Sequence, residues 1–559
     1  RRNQREDGSW GYKHLDDFQA EPSTPGMTAA GVASLFITTD RILAEQGGAA
    51  SCRGNWADDN LARGLAWLDA NADLIATNER YDRDWPAVTL FTVERAAVAG
   101  GLRNLGGRDW FQRGASHLLS TQRNNGSWPG DYRPVSNVHT TALHVLFLAR
   151  GQSPVMANKL NWSTDDEIAD WNQRPFDLAN LATYAGDGLE RELHWQAIEL
   201  ASPVEQWSDA PMLYIAGSSS PADLPSEAVE KLVQFADRGG LVVANADCGR
   251  RPFADGFVKL IEAAYAERSD GDYTFRPLPT DHPIYRQQYD LTKQRRPIQL
   301  LGLSNGVREL FVLVPKQDLG RDWQTRRSEP ALQLGTNLYL YAIDTIGMRL
   351  KAAARVEVAM VEPIATLQVG RVKWDGNWDP EPAGWTRINR LVNRRDLGVD
   401  VSTVTLADLE LESAPPLLHL TGTGEFELEN EEKLAAYVEA GGTLLIDAAG
   451  GDAAFADAAE AMLTRVFDNA GEALAAPIGE THPLVDGIDV EYRLSTIAGL
   501  GNARGPRLRV IEVGGRPAVI YSREDLTHGL LGRPTAGVFG YTPDTATAIV
   551  SKLVESLLE

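Results

Sequence analysis

The chain writes one long segment twice, and this duplication limits the folds open to it. APMLYIAGSSS from Ala210 answers PPLLHLTGTGE from Pro415. KLVQFADRGGLVVANADCGRRPFADGF from Lys231 answers KLAAYVEAGGTLLIDAAGGDAAFADAA from Lys433, and LPTDHPIY from Leu278 faces IGETHPLV from Ile478. Gly240 answers Gly442, Phe253 answers Phe455 and His282 answers His482, with the order kept throughout. The lead-in segments agree more loosely, LNWSTDDEIADWNQRPFDLANLATY before the first copy and VKWDGNWDPEPAGWTRINRLVNRR before the second. Two tandem domains of one fold are expected, over residues 156–365 and 366–559.

Inside each copy, continuous Val, Leu and Ile runs alternate with helical stretches. Strands buried on both faces read this way, so a parallel sheet covered by helices on each side is predicted. A strand ends at LYIAG or LHLTG, a helix follows and stops at a double glycine, and the next strand is LVVANAD or TLLIDAA. A doubly wound, flavodoxin-like α/β fold is the economical reading, with any ligand expected at the carboxyl ends of the strands.

Residues 1–155 have a different texture, with apolar residues at three- and four-residue spacing in segments such as MTAAGVASLFITTDRILAE, AVTLFTVERAAVAG and VHTTALHVLFLARG. Here too a motif repeats: Gln4-x-x-Asp7-Gly8-Ser9-Trp10 and Gln122-x-x-Asn125-Gly126-Ser127-Trp128. Glycine permits a tight turn, Asp or Asn bonds nearby amides, and Trp anchors neighbouring helices. The motif resembles the glutamine-tryptophan repeats of squalene-hopene cyclases and the prenyltransferase superfamily, which implies a fragment of an α/α toroid. Repeat arrays bury their faces against neighbours, so the start at Arg1 reads as the middle of a longer polypeptide.

The second copy resembles a bacterial domain family of unknown function with a class I glutamine-amidotransferase-like fold, and the first copy resembles it less closely. That resemblance implies chemistry to be sought and points to a periplasmic or secreted location. Cys248 in VVANADCGRRPF sits where a nucleophile would, in a strand-to-helix turn, with His282 as a partner. Against this, Ala246 stands where the elbow wants glycine, Ile284 follows His282-Pro283 where an acid is expected, and Gly450 replaces the cysteine in the second copy. The cyclase acid motif Asp-x-Asp-Asp is absent, and Asp16 and Asp17 do not reproduce it. His139 near Asp131 lacks the cysteine of a prenyltransferase zinc site. His14, Asp17, Trp85, Glu94 and His139 are left as residues lining a groove, or as ordinary surface and helix-end residues. Trp374, Trp378 and Trp385, interleaved with Asp375, Asp379 and Glu381, read as a carbohydrate or cation site or as structural anchors. Gly422 and Gly424 in TGTGEFEL end a strand and are candidates for anion binding through backbone amides.

Composition closes other routes. A net charge of −23 repels phosphate backbones, which excludes nucleic acid as a natural partner. No apolar run spans a bilayer. Two cysteines far apart in sequence, Cys52 and Cys248, offer neither a disulfide framework nor a cysteine zinc site. No cofactor is implied. Three functions remain: a non-catalytic binding or scaffolding protein that recognises other proteins or a glycan or lipid-like ligand; an enzyme acting on a polyprenyl or lipid-like substrate through Asp17 or Glu94; and a hydrolase or amidase built on Cys248 and His282.

Overall fold

The computed structural model describes residues 2–13, 22–46, 58–75, 85–130, 136–162, 170–266, 273–344, 360–493 and 505–559. An N-terminal helical region is followed by two α/β domains with largely parallel sheets.

The helical region holds α1 (Pro25–Gln46), α2 (Asp59–Ala70), α3 (Pro86–Gly100), α4 (Trp110–Thr121) and α5 (Asn137–Gly151), with a small hairpin of β1 (Asn104–Leu105) and β2 (Arg108–Asp109). Local chemistry sets the boundaries. Asp58 accepts from the amides of Asn60 and Leu61 to start α2, and Gly101, at φ 62°, ends α3 in the left-handed conformation. The two Gly-Ser-Trp motifs form the same turn bond for bond. Gln4 Nε2 donates to Gly8 O and Gln122 Nε2 to Gly126 O, at 2.9 and 3.0 Å. The Ser9 and Ser127 amides donate to Asp7 and Asn125 Oδ1, and the Trp10 and Trp128 amides each meet a threonine hydroxyl at 3.1 Å. Both indoles are buried, and a Cβ at Gly31 would stand 2.6 Å from Trp10. The repeat therefore builds helix-anchoring turns.

The first α/β domain contains β3 (Val155–Asn161), α6 (Asp177–Gly188), β4 (His194–Glu199), α7 (Val204–Trp207), β5 (Met212–Gly217), α8 (Ser226–Asp237), β6 (Leu241–Ala246), α9 (Arg251–Ala266), β7 (Arg276–Pro277), β8 (Leu301–Ser304), β9 (Glu309–Val314), α10 (Leu319–Thr325) and α11 (Glu329–Ile343). The second contains β10 (Ala365–Val372), α12 (Gly384–Val392), β11 (Leu397–Val404), β12 (Leu417–Gly422), α13 (Glu432–Glu439), β13 (Thr443–Ala448), α14 (Ala453–Val466), α15 (Ala470–Ala475), β14 (Arg509–Val513), β15 (Arg516–Ser522) and α16 (Pro543–Leu558). The sheet orders are β4-β3-β5-β6-β9-β8-β7 and β11-β10-β12-β13-β15-β14, the same path with one short extra edge strand in the first copy. Each sheet carries cores on both faces. In the first, α6, α10 and α11 cover one face and α8 and α9 the other; in the second, α12 and α16 face α13 and α14 across the sheet.

The copies stack head to tail. The β8–β9 turn and the strand starts of the first copy rest on the strand ends of the second. Arg308 reaches Glu381, Asn305 Nδ2 donates to Pro380 O, and Arg533 caps the carbonyls of Ser208 and Ala210. The first copy's own strand ends face the helical region, where Asn180 and Arg326 bond Asp40 and Phe36 meets Phe176 edge-on.

Candidate functional site at the strand ends

The two copies build their strand ends from matched parts. Trp162 Nε1 donates to Ala216 O at 2.7 Å and Trp374 Nε1 to Thr421 O at 3.2 Å, each indole clamping the crevice where the strand order reverses. A buried base rises from the first strand of each copy, β3 or β10, and pairs with a carboxylate beyond it, Lys159 with Asp177 and Arg371 with Asp379, each at 2.7 Å. Beyond the next strand comes a sharp turn with a left-handed residue, Cys248 at φ 56° and Gly450 at φ 69°. In both copies a buried carboxylate takes that residue's amide: Asp318 accepts from Cys248 N at 2.9 Å and from Arg174 at 3.0 Å, while Asp525 accepts from Gly450 N and from Arg493 at 2.8 Å.

Cys248 thus occupies a strand-turn-helix elbow, as the sequence suggested. It is, however, disulfide-bonded, which spacing along the chain does not reveal. The other cysteine, Cys52, lies outside the described residues. Beneath the elbow sit Lys159, Arg174, Asp177, Tyr214, Asp247 and Asp318, all buried. His282 stands apart from Cys248. Its Nδ1 accepts from Ile284 N, and its Nε2 is 3.4 Å from Glu309. His482 makes the equivalent bond to Leu484 N, also at 3.3 Å, so the two histidines hold matching places at the opening of a short helical turn.

In the second copy His419 replaces Tyr214. Trp385 Nε1 donates to His419 Nδ1, which leaves the proton on Nε2 facing Asp447 Oδ1 at 2.8 Å. Asp447 also accepts from the Leu526 and Thr527 amides and from the Thr527 hydroxyl. Burial pushes its carboxyl up, but these donors outweigh burial and hold it below the ordinary range. Glu381 is likewise buried, with Arg308 and His528 on its oxygens; they overcome its desolvation and bring it down to about 2. Trp385 is a buried anchor and Glu381 an interface residue, whereas Trp374 and Asp375 line an open crevice of about 1370 Å³ between the ends of β10 and β12. Leu406, Phe426 and Trp374 contribute its apolar lining, and Asp375, Asp408, Glu425, Glu427, Glu429 and Asp457 outnumber Lys373, whose ammonium lies 5.9 Å from the Trp378 ring. Gly422 is packed against Trp374 and Asn377, and the Gly424 amide already donates to Asp452, at 3.0 Å.

In the helical region Glu94 is buried with Oε2 unpartnered, and burial pushes its carboxyl up to about 7. His139 is exposed and bonds Ser136. Trp85 is half exposed. His14, Asp17 and Asp131 lie outside the described residues. Among the described residues, no group of three His, Cys, Asp or Glu side chains is placed to hold a metal ion, and no helix is long and apolar enough to cross a membrane.

Sequence reasoning missed Asp318, Asp525, Arg174 and Arg493. The one signal for the aspartates is that an Asp follows the fifth parallel strand of each copy, in PKQD and REDL.

These features define a tandem pair of α/β domains behind a helical region. The family described as "Domain of unknown function (DUF4159)" matches residues 163–343 and again 363–539, and the chain belongs to it. No curated protein matches the chain.

Proposed function

We propose that the chain is a non-catalytic binding or scaffolding protein. One observation carries this reading: at both elbows the amide of the turn residue itself, Cys248 or Gly450, already donates to a buried carboxylate, Asp318 or Asp525. Stabilising developing charge requires open, pre-aimed donors, and one donor of each turn is already committed within the fold. The disulfide at Cys248 supports the same reading and favours an oxidising compartment, in line with a periplasmic or secreted protein. The finer likenesses are part of the proposal: a toroid fragment of the squalene-cyclase kind, supported by the paired turns, and flavodoxin-like, amidotransferase-like copies, supported by the strand order.

The ligand side is the crevice of the second copy, whose carboxylates over an apolar lining suit a basic peptide segment. Fluorescence anisotropy with a labelled Lys/Arg-rich peptide tests it. Binding is expected to weaken with salt and to fall at least tenfold in the Glu425→Gln/Glu427→Gln/Glu429→Gln variant. Equal affinity in that variant, or equal binding of an acidic peptide, would sink the assignment.

Glu94 favours a second reading, because a buried carboxyl near neutrality is a ready general acid for an alkene or polyprenyl substrate. Turnover of squalene or polyprenyl diphosphates that Glu94→Gln abolishes would establish it over the first.

A further inference from the structure

Beneath the Cys248 elbow the first copy encloses more charge than it pairs. Lys159 and Arg174 face Asp177, Asp247 and Asp318, with Lys159, Arg174 and Asp177 essentially inaccessible and Asp247 and Asp318 nearly so. Asp318 is saturated, since Cys248 N, Arg174 and Arg321 N all donate to it. Asp177 keeps Lys159 and Leu178 N on Oδ1. Four atoms of the cluster are left without partners: Asp177 Oδ2, Asp247 Oδ2, the Tyr214 hydroxyl and Arg174 Nε. Gly320 makes room for two of them, since a Cβ there would come 2.9 Å from Tyr214 Oη and 3.2 Å from Asp177 Oδ2. Two cations against three carboxylates leave one negative charge uncompensated, and a buried unpaired charge is among the costliest groups a protein can hold.

We propose that this cluster is a proton-binding site, in which one proton resides on the Asp247 carboxyl at neutral pH and its loss charges the floor of the Cys248 turn. Asp247 is the carboxylate least supplied with donors. Asn245 Nδ2 is its one side-chain partner, and Asn245 spends its oxygen on Leu319 N. The groups that face it are Lys159 from β3, Arg174 ahead of α6, Asp177 at the start of α6, Tyr214 from β5 and Asp318 ahead of α10. Burial, and then the Asp318 charge, raise its carboxyl well above the ordinary range, while Arg174 and Lys159 oppose them. The second copy has no such site: Ala449 stands at the position of Asp247, and Asp447, at that of Asn245, is fully supplied with donors.

The sign follows. A carboxyl raised in the fold stabilises most below its unfolded value, and that contribution is lost as pH rises toward the folded value. The test is chemical unfolding of the full chain between pH 5 and 9, wild type against Asp247→Asn, with infrared spectra of both at pH 7. The ratio of wild-type to variant folding constants is expected to fall about tenfold per pH unit while Asp247 stays protonated in the fold. A protonated-carboxyl band is expected in the wild type and should be weakened in the variant. Parallel unfolding curves, an unchanged band, or a slope removed by Asp177→Asn instead would overturn the assignment. So would failure of Asp247→Asn to fold at pH 7, because a neutral site accepts its neutral isostere.

Discussion

The same hairpin closes both sheets, yet its two tips do different things. In the second copy β14 and β15 join through Gly514-Gly515, both at positive φ, a tight turn matched to strand twist. In the first, β8 and β9 join through Asn305-Gly306-Val307-Arg308, and this tip enters the neighbouring domain. Gly306 fits between Asn377 and Thr423, Val307 covers Gly450, and Arg308 forks onto Glu381 while its own copy supplies the carbonyls of Ala236 and Gly240. One hairpin is an edge and the other a plug. A duplicated fold is thereby made asymmetric: the second copy's turn is covered by protein, whereas the first copy's turn carries a disulfide over a polar floor.

The comparison breaks most readily at the plug. Arg308→Ala leaves Glu381 buried beside His528 without its cation, and about 3–5 kcal/mol of stability is expected to vanish in denaturant titration. Arg276→Ala, on the adjoining edge strand β7 and half exposed, leaves the buried Glu309 with His282 still beside it and is expected to cost less, about 1–3 kcal/mol. Next in size is a pH effect outside both copies. Glu94 is raised to about 7, so its contribution is full below about pH 4.5 and is lost as pH climbs to 7. Glu94→Gln is therefore expected to gain up to about 3 kcal/mol over wild type at pH 8 and little at pH 4, as read from unfolding midpoints. Smaller again are the crevice clamps. Trp162→Phe and Trp374→Phe each remove one buried indole donor and are expected to cost about 1–2 kcal/mol apiece, by similar amounts if the copies are truly equivalent there. Unequal losses would show that the Trp clamp has diverged with the hairpin. Smallest is Glu427→Gln on the exposed rim, expected to change stability by less than about 0.5 kcal/mol.

Much of this fold was legible in the sequence, because a strand buried on both faces must be continuously apolar and a helix must stop where it meets a double glycine. LVVANA and TLLIDA announced themselves on those grounds, and so did the paired Trp turns of the helical region. The strand ends were legible only in part. Cys248 was visible from its strand-turn-helix setting, but its bond was not, since spacing along the chain is silent about distance across a fold. Asp318 and Asp525 act from irregular loops with no periodicity to betray them. Glu381 stood among exposed-looking carboxylates and tryptophans, and nothing local reveals that Arg308, from the other copy, buries it. Equivalence was also masked by exchanged charge, for Glu381 holds in the second lead-in the place that Arg174 holds in the first.

The plug has a consequence for how such proteins can be rebuilt. Tandem duplication ordinarily supplies interchangeable modules, which recombination can delete, reorder or graft singly onto new partners. Here a cut between the copies would strip the cover from Gly450, Glu381 and His528 and leave Asn305-Gly306-Val307-Arg308 projecting without a socket. The transferable module is the pair, and a chimera that borrows one copy must borrow the other or redesign both faces of the joint.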